Sequence, residues 1–242
     1  MRYWLYIFVL FVACSPEKIG PSENVAIFGL WEAGETPVIQ ALLLEGDQSS
    51  SVPNQVFELI FQNGEKSVFR FEDSEYVNDS QRVPEAGETL RLVWYREHDT
   101  AYVDIEMPPS ITEVLVSDNT LSANGTDDCL VEWSMPETDL ECAFSLNCLE
   151  LQPEPLPWSP GNFSEQYRGP QFTTELLLTP QSFSCYGSHE LTISVLNDPL
   201  LDAFFFDLSD IRGLLKQGPD NVLGGKGFVA GVTKTKIILE IE

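Results

Sequence analysis

From residue 24 onward, apolar residues tend to recur at every second position, in runs of six to eight broken by polar, glycine-bearing stretches. "QVFELIF" (55–61) and "SVFRFE" (67–72) sit on either side of "QNGEK", whose Asn-Gly step is a two-residue hairpin turn. "NVAIFGLW" and "PVIQALLL" flank "EAGET", while "ETLRLVWY" and "AYVDIEM" are joined by "REHD". A period of two is the signature of a strand buried on one face. Six such strands over residues 24–109 predict an immunoglobulin-like β-sandwich. The two prolines of "PPSITEVLV" end that unit and open the next.

Over residues 110–242 the strand pattern resumes in "ITEVLVS", "DCLVEWSM", "LECAFSLNCLEL", "QFTTELLLT" and "SHELTISVL", and closes with "GFVAGV" and "KIILEIE". Two departures stand out. The segment "QPEPLPWSPGNFSEQYRGP" (152–170) has no periodicity, and a loop of that length is usually functional or flexible. It carries Trp158, a candidate anchor for a partner surface. The segment 198–217 places Leu200, Phe204, Leu208 and Ile211 at helical spacing behind Asp198 as an N-cap. The expectation is therefore an all-β protein of two tandem immunoglobulin-like or fibronectin-like sandwiches, 24–109 and 110–242, with one short helix near the C-terminus.

Ahead of the periodic region lies "MRYWLYIFVLFVAC", with one basic residue, an apolar run from Tyr3 to Ala13, and Cys14. That run is too short to span a bilayer, which takes about 20 residues, but it suits a secretory leader. Phe11 is too large for the usual cleavage rule, whereas "FVAC" fits cleavage just before a cysteine that then carries lipid. Residues 1–13 are thus expected to be a lipoprotein signal peptide, Cys14 the lipid anchor, and 14–23 a polar tether. Multiple acylation would fix the folded part durably to a membrane.

The net charge of −25 changes the picture of partners. A field of that sign repels nucleic acid and bare anionic membranes and attracts basic partners. Cysteine usage fits export. Beyond Cys14, the four cysteines Cys129, Cys142, Cys148 and Cys185 all lie in the second half, and an even number in an oxidising compartment implies two disulfides. Three connectivities are possible, and the reading favours Cys129–Cys142 with Cys148–Cys185. No Cys-x-x-Cys occurs and there are only two histidines, so no metal is expected.

Catalytic patterns fail on spacing. "NVLGGKGFVAGVTKTK" (221–236) invites a phosphate loop, but Asp220 stands where the first glycine is required and Gly227 where the Ser/Thr should be. The next residues, "FVAGVT", read as a strand, so no helix N-terminus is there to hold an anion. The glycines are expected to serve turns and close backbone approach. His98 lies in a polar turn. Ser188 and His189 are adjacent and face opposite ways on a strand, and an extended run would hold Cys185 about 13 Å from His189. The polar run holding Asp118, Asn119, Asn124, Asp127 and Asp128 offers oxygen ligands, but matches no calcium-loop spacing. No catalytic residue and no cofactor are expected.

Three stretches together resemble the DUF4249 lipoproteins of Bacteroidota: "NVAIFGLWEAGETPVIQALLL", "EAGETLRLVWYREHDTAYVDIEMPPSITEVLV" and "DNVLGGKGFVAGVTKTKI". The resemblance covers nearly the whole chain after Cys14, with Leu90 to Leu92 where the family carries a tyrosine region. It implies an outer-membrane lipoprotein with an immunoglobulin-like first domain, a companion of TonB-dependent barrels. The expected function is a non-enzymatic, lipid-anchored accessory subunit of an outer-membrane β-barrel complex, at the cell surface rather than the periplasmic face. The alternative is a surface lipoprotein that captures a glycan or peptide through Trp158.

Overall fold

The computed structural model describes residues 25–45, 48–125, 128–135, 140–157, 164–167, 174–196 and 220–242. The leader 1–13, Cys14 and its tether, Trp158 and the helix expected over 198–217 lie outside the described residues. Among the described residues the fold is all-β, and the helical element is a single 3-10 turn, Pro180–Ser182.

The first half supplies β1 (Val25–Glu32), β2 (Val38–Glu45), β3 (Gln48–Ser51), β4 (Val56–Phe61), β5 (Lys66–Glu72), β6 (Glu75–Asn78), β7 (Thr89–Tyr95) and β8 (Thr100–Glu106). They form an antiparallel ladder β1-β2-β6-β5-β4-β7-β8, with β3 added to β2. The β4–β5 hairpin turns at Asn63-Gly64, where Gly64 takes φ +83° and the Asn63 Oδ1 accepts from the Glu65 N–H. Alternation is clean on β7 and β8, whose inward residues Leu90, Leu92, Trp94, Ala101, Val103 and Ile105 are buried. The ladder curls around an aromatic core in which Phe57 contacts Phe69, Tyr76 and Trp94, and Trp31 stacks on Phe69.

The second half supplies β9 (Thr112–Val116), β10 (Thr120–Leu121), β11 (Cys129–Ser134), β12 (Glu141–Cys148), β13 (Ser164–Tyr167), β14 (Glu175–Leu178), β15 (Gly187–Leu196) and β16 (Gly227–Ile241). One layer is β13-β12-β15-β16, with β10 on the far side of β16; the other is the three-stranded sheet β14-β11-β9. Trp133, Phe144, Phe183, Leu191, Ile193 and Leu239 belong to the core of this half. Trp31, Trp94 and Trp133 are buried.

The chain does not keep the two cores apart. Gly227 to Val232 of β16 pair in parallel with β1, and Val232 to Ile241 pair antiparallel with β15. Val229 of β16 therefore belongs to the first core, as does Val222 just ahead of it, while Leu239 and Ile241 belong to the second. One fifteen-residue strand serves both sandwiches.

The closing glycines act where this strand presses on its neighbours. Gly227 has φ +113°, and a Cβ there would lie 1.9 Å from the Ile27 carbonyl oxygen. A Cβ on Gly231 would lie 2.7 Å from Met107 Sδ. Asn221 clamps the turn to the strand by donating through Nδ2 to Val229 O and accepting from Val229 N–H. The run expected to serve turns and close approach does so, and the segment after it is a strand.

Candidate functional site

The chemistry-bearing side chains converge at the end of the β12–β15 pair. Cys148 ends β12 and stands opposite His189 of β15 in the ladder. Cys148 is bonded to Cys185, which lies just ahead of β15. Cys185 Sγ is 3.6 Å from His189 Nε2, and the ligand atoms of Cys148, Cys185 and His189 all lie within 4.8 Å of one another. This replaces the separation of about 13 Å expected for an extended run. The cause is Gly187. Its φ of +98° turns the chain, so Cys185 is not part of the strand that carries His189.

His189 is fully buried and Phe183 packs edge-on against it at 5.0 Å. Its Nδ1 is 3.1 Å from the Gly187 carbonyl oxygen, which can only accept. Nδ1 therefore carries the proton and Nε2 presents its lone pair toward Cys185. Burial pushes the imidazole below its ordinary value, opposed by the Gly187 bond and by the charge of Glu150. Ser188 points the other way, as expected, with its hydroxyl donating to Glu240 Oε1.

The Cys148–Cys185 pair matches expectation; the Cys129–Cys142 pair does not. Both of these cysteines are free and buried. Cys129 begins β11, whereas Cys142, at the start of β12, lies against Met135 just beyond the other end of β11, with its Sγ 3.5 Å from Met135 Sδ. Cys129 and Ser134, the two ends of that strand, are five residues apart, about 16 Å, which puts Cys142, beside Met135, out of disulfide reach of Cys129. Each thiol instead fills core volume. Burial raises Cys142 to about 11, with the Trp133 side chain acting in the opposite direction, and burial also raises Cys129. Both are poor nucleophiles.

A second feature is a surface. On the three-stranded sheet Leu130 stands opposite Leu177, and Glu132 opposite both Leu115 and Glu175. Leu115 and Leu177 are 64% and 57% exposed, values that make them surface leucines rather than core. Glu113, Glu132 and Glu175 are exposed around them. Among the described residues, β9 and β14 pair on one side only, so this face ends in two open backbone edges. Sequence periodicity could not reveal it, because which strands lie at an edge is set by non-local pairing.

The remaining candidates stay apart. His98 is exposed beside Glu97. Asp118 caps its own turn by accepting from the Thr120 N–H, and Asp127 lies outside the described residues. A shallow depression of about 340 Å³ on the first sandwich is occupied at its rim by the Arg82–Glu88 and Arg82–Glu65 ion pairs.

No family model matches the chain, and no curated protein matches it by sequence. Three solved structures illustrate what it is similar to. Trypsin-activated α-2-macroglobulin from Escherichia coli is 15% identical over 73% of this chain, with a TM-score of 0.25; the chain spans 15% of that protein's length. Murine CEACAM1b is 10% identical over 90% of this chain and 100% of its own, with a TM-score of 0.24. The FN1–FN3 domains of chicken CNTN1 are 12% identical over 91% of this chain and 69% of theirs, with a TM-score of 0.29. Scores this low carry no argument about function.

Proposed function

We propose that this protein is a lipid-anchored accessory subunit of an outer-membrane β-barrel complex, held by Cys14 and docking through the outer face of the sheet β14-β11-β9. The observation that carries the reading is that face: exposed Leu115 and Leu177 on a sheet whose outer strands each pair on one side only among the described residues. Supporting it are the "FVAC" leader, the resemblance to DUF4249 lipoproteins, and a disulfide of the kind that persists in exported proteins. An apolar centre with an acidic rim suits a partner that is apolar at its centre and basic around it. Edge strands also allow the partner to add a strand by backbone hydrogen bonding.

Photo-crosslinking residues placed at positions 115 and 177 in intact cells test this. The expected product is a covalent adduct with an outer-membrane β-barrel protein from at least one position. Adducts with no barrel protein at both positions, with the protein correctly anchored, overturn it. Cys14→Ala should release the protein from the membrane fraction, and retention would contradict the anchor.

A further inference from the structure

The Cys148, Cys185 and His189 cluster holds a feature that its disulfide does not explain. Because Nδ1–H of His189 donates to the Gly187 carbonyl, Nε2 is a bare acceptor in a fully buried side chain. The atom facing it at 3.6 Å is Cys185 Sγ, which carries no hydrogen while it is bonded to Cys148. A buried acceptor facing a group that cannot donate is costly. Two changes would satisfy it: a thiol hydrogen on Cys185, or a metal ion shared by the nitrogen and the sulfur.

We propose that this cluster is a redox-gated zinc site, closed as a disulfide when oxidised and taking Zn(II) on Cys148 Sγ, Cys185 Sγ and His189 Nε2 when reduced. Two sulfurs and an imidazole suit a thiophilic d10 ion. Zinc–sulfur and zinc–nitrogen bonds of about 2.3 and 2.05 Å in tetrahedral geometry put sulfur and nitrogen about 3.6 Å apart. The Cys185–His189 separation is already 3.6 Å. The two sulfurs must part to about 3.8 Å. Cys148, the half-buried member, has the solvent side on which its side chain can rotate. The same side leaves the fourth position to water. The Gly187 carbonyl holds the imidazole in the tautomer that ligation through Nε2 requires, the usual outer-shell arrangement of a zinc histidine.

The chemistry balances with a dithiol reductant. A thiolate of the donor attacks the more accessible Cys148 Sγ, the S–S bond breaks, and the electron pair leaves on Cys185. The donor's second thiol then releases Cys148 and departs as its own disulfide. Two electrons and two protons have passed to the protein, and zinc displaces the two thiol protons as it binds.

The test uses the full mature chain, oxidised or reduced with dithiothreitol and freed of reductant, titrated with Co(II) and then Zn(II). The reduced protein is expected to take up one equivalent of Co(II), with a near-ultraviolet thiolate-to-metal band that Zn(II) bleaches. The oxidised protein should show neither. Cys148→Ser and His189→Gln should each weaken binding by more than about 100-fold, beyond the usual loss for an outer-shell partner. Stoichiometric Zn(II) should also block re-formation of the disulfide by an added oxidant. Because His189 is a core residue, circular dichroism must show that its variant folds; if it does not, the half-buried Cys148→Ser decides alone. Equal metal uptake by oxidised and reduced protein overturns the proposal. So does undiminished affinity in folded Cys148→Ser, which would assign the metal to Cys129 or Cys142.

Discussion

The two sandwiches share a strand but end their sheets differently. In the first, the ladder that begins at β1 comes back on itself: Leu223, just ahead of β16, exchanges backbone hydrogen bonds of 3.0 and 2.8 Å with Tyr102 of β8. Its outward faces are laced with charge, as in the Glu58–Lys66 and Arg91–Asp104 pairs. In the second, the sheet β14-β11-β9 ends on two strands without a further neighbour among the described residues, and it exposes leucines. Apart from Cys14, all the cysteines lie in the second half, and so does the buried histidine. Among the described residues the first sandwich leaves free the edge of β3, a short polar strand, whereas the second leaves free the edges of a sheet that exposes leucines. In the proposals above, the first sandwich is the scaffold and the second carries the contact surface and the redox chemistry.

The strand that joins them is where the contrast breaks most easily. Gly227→Val puts a branched side chain at φ +113° and drives its Cβ into the Ile27 carbonyl. The expected loss is about 4 kcal/mol or more, read as a fall in the denaturant midpoint. Both cores should loosen, seen as faster amide exchange in β1 and β15 alike. Exchange confined to β1 would show that the two halves are not coupled through β16.

Removing the disulfide should affect one half only. The bond spans 37 residues, for which loop-closure entropy sets an effect of about 4 kcal/mol at most. In the Cys148→Ser, Cys185→Ser variant without metal, amides of β12 and β15 should exchange faster while those of β4 and β7 keep their protection. An equal loss in both halves would erase the distinction.

Much of the fold was legible in alternation. β7 and β8 announce themselves because their polar positions face water and their aliphatic ones the core, and β4 and β5 read as strands too although Val56, Val68 and Phe71 are exposed. β3, β6 and β10 are two to four residues long, too short for a period to show. β16 reads as two strands because Thr233 to Lys236 is polar. Those residues lie where the strand crosses between cores: the Thr233 hydroxyl donates to Pro108 O, and Lys234 pairs with Glu32. The candidate site was half legible. Export implied disulfides but not which cysteines pair, and the approach of His189 depended on one positive-φ glycine, which no periodicity reports.

Two tryptophans carry the same contrast at smaller scale. Trp94 Nε1–H donates to Gln55 Oε1 at 3.0 Å, whereas the Trp133 side chain donates to the Cys142 sulfur, a weak acceptor. Trp94→Phe should lose that hydrogen bond and strand the Gln55 oxygen, costing about 1 kcal/mol more than Trp133→Phe, which gives up only a weak bond to sulfur. Chemical denaturation of the two variants measures the difference, and equal losses would contradict it.

The smallest effect belongs to Arg91–Asp104 on the first sandwich. The Arg91 side chain holds the Asp104 carboxyl below its ordinary value. A depressed carboxyl stabilises the fold above its unfolded value, and that contribution is lost as pH falls through the folded one. Both side chains are about half exposed (51% and 49%), so solvent screening limits the contribution to below about 1 kcal/mol. Asp104→Asn should cost no more than that and should flatten the acid limb of stability against pH. A larger loss would mean that the pair supports the sheet.

The most direct measurement sets the two sandwiches against each other in the cell. Photo-crosslinkers go at Leu115 and Leu177 on the open sheet, and at Val56 and Val68 on the first sandwich, which are 55% and 53% exposed. Because all four positions are comparably accessible, exposure alone would label them alike. Adducts with an outer-membrane barrel protein from positions 115 or 177, and none from 56 or 68, are the expected result. Adducts from 56 or 68 alone would overturn the division of roles and place the docking surface on the first sandwich.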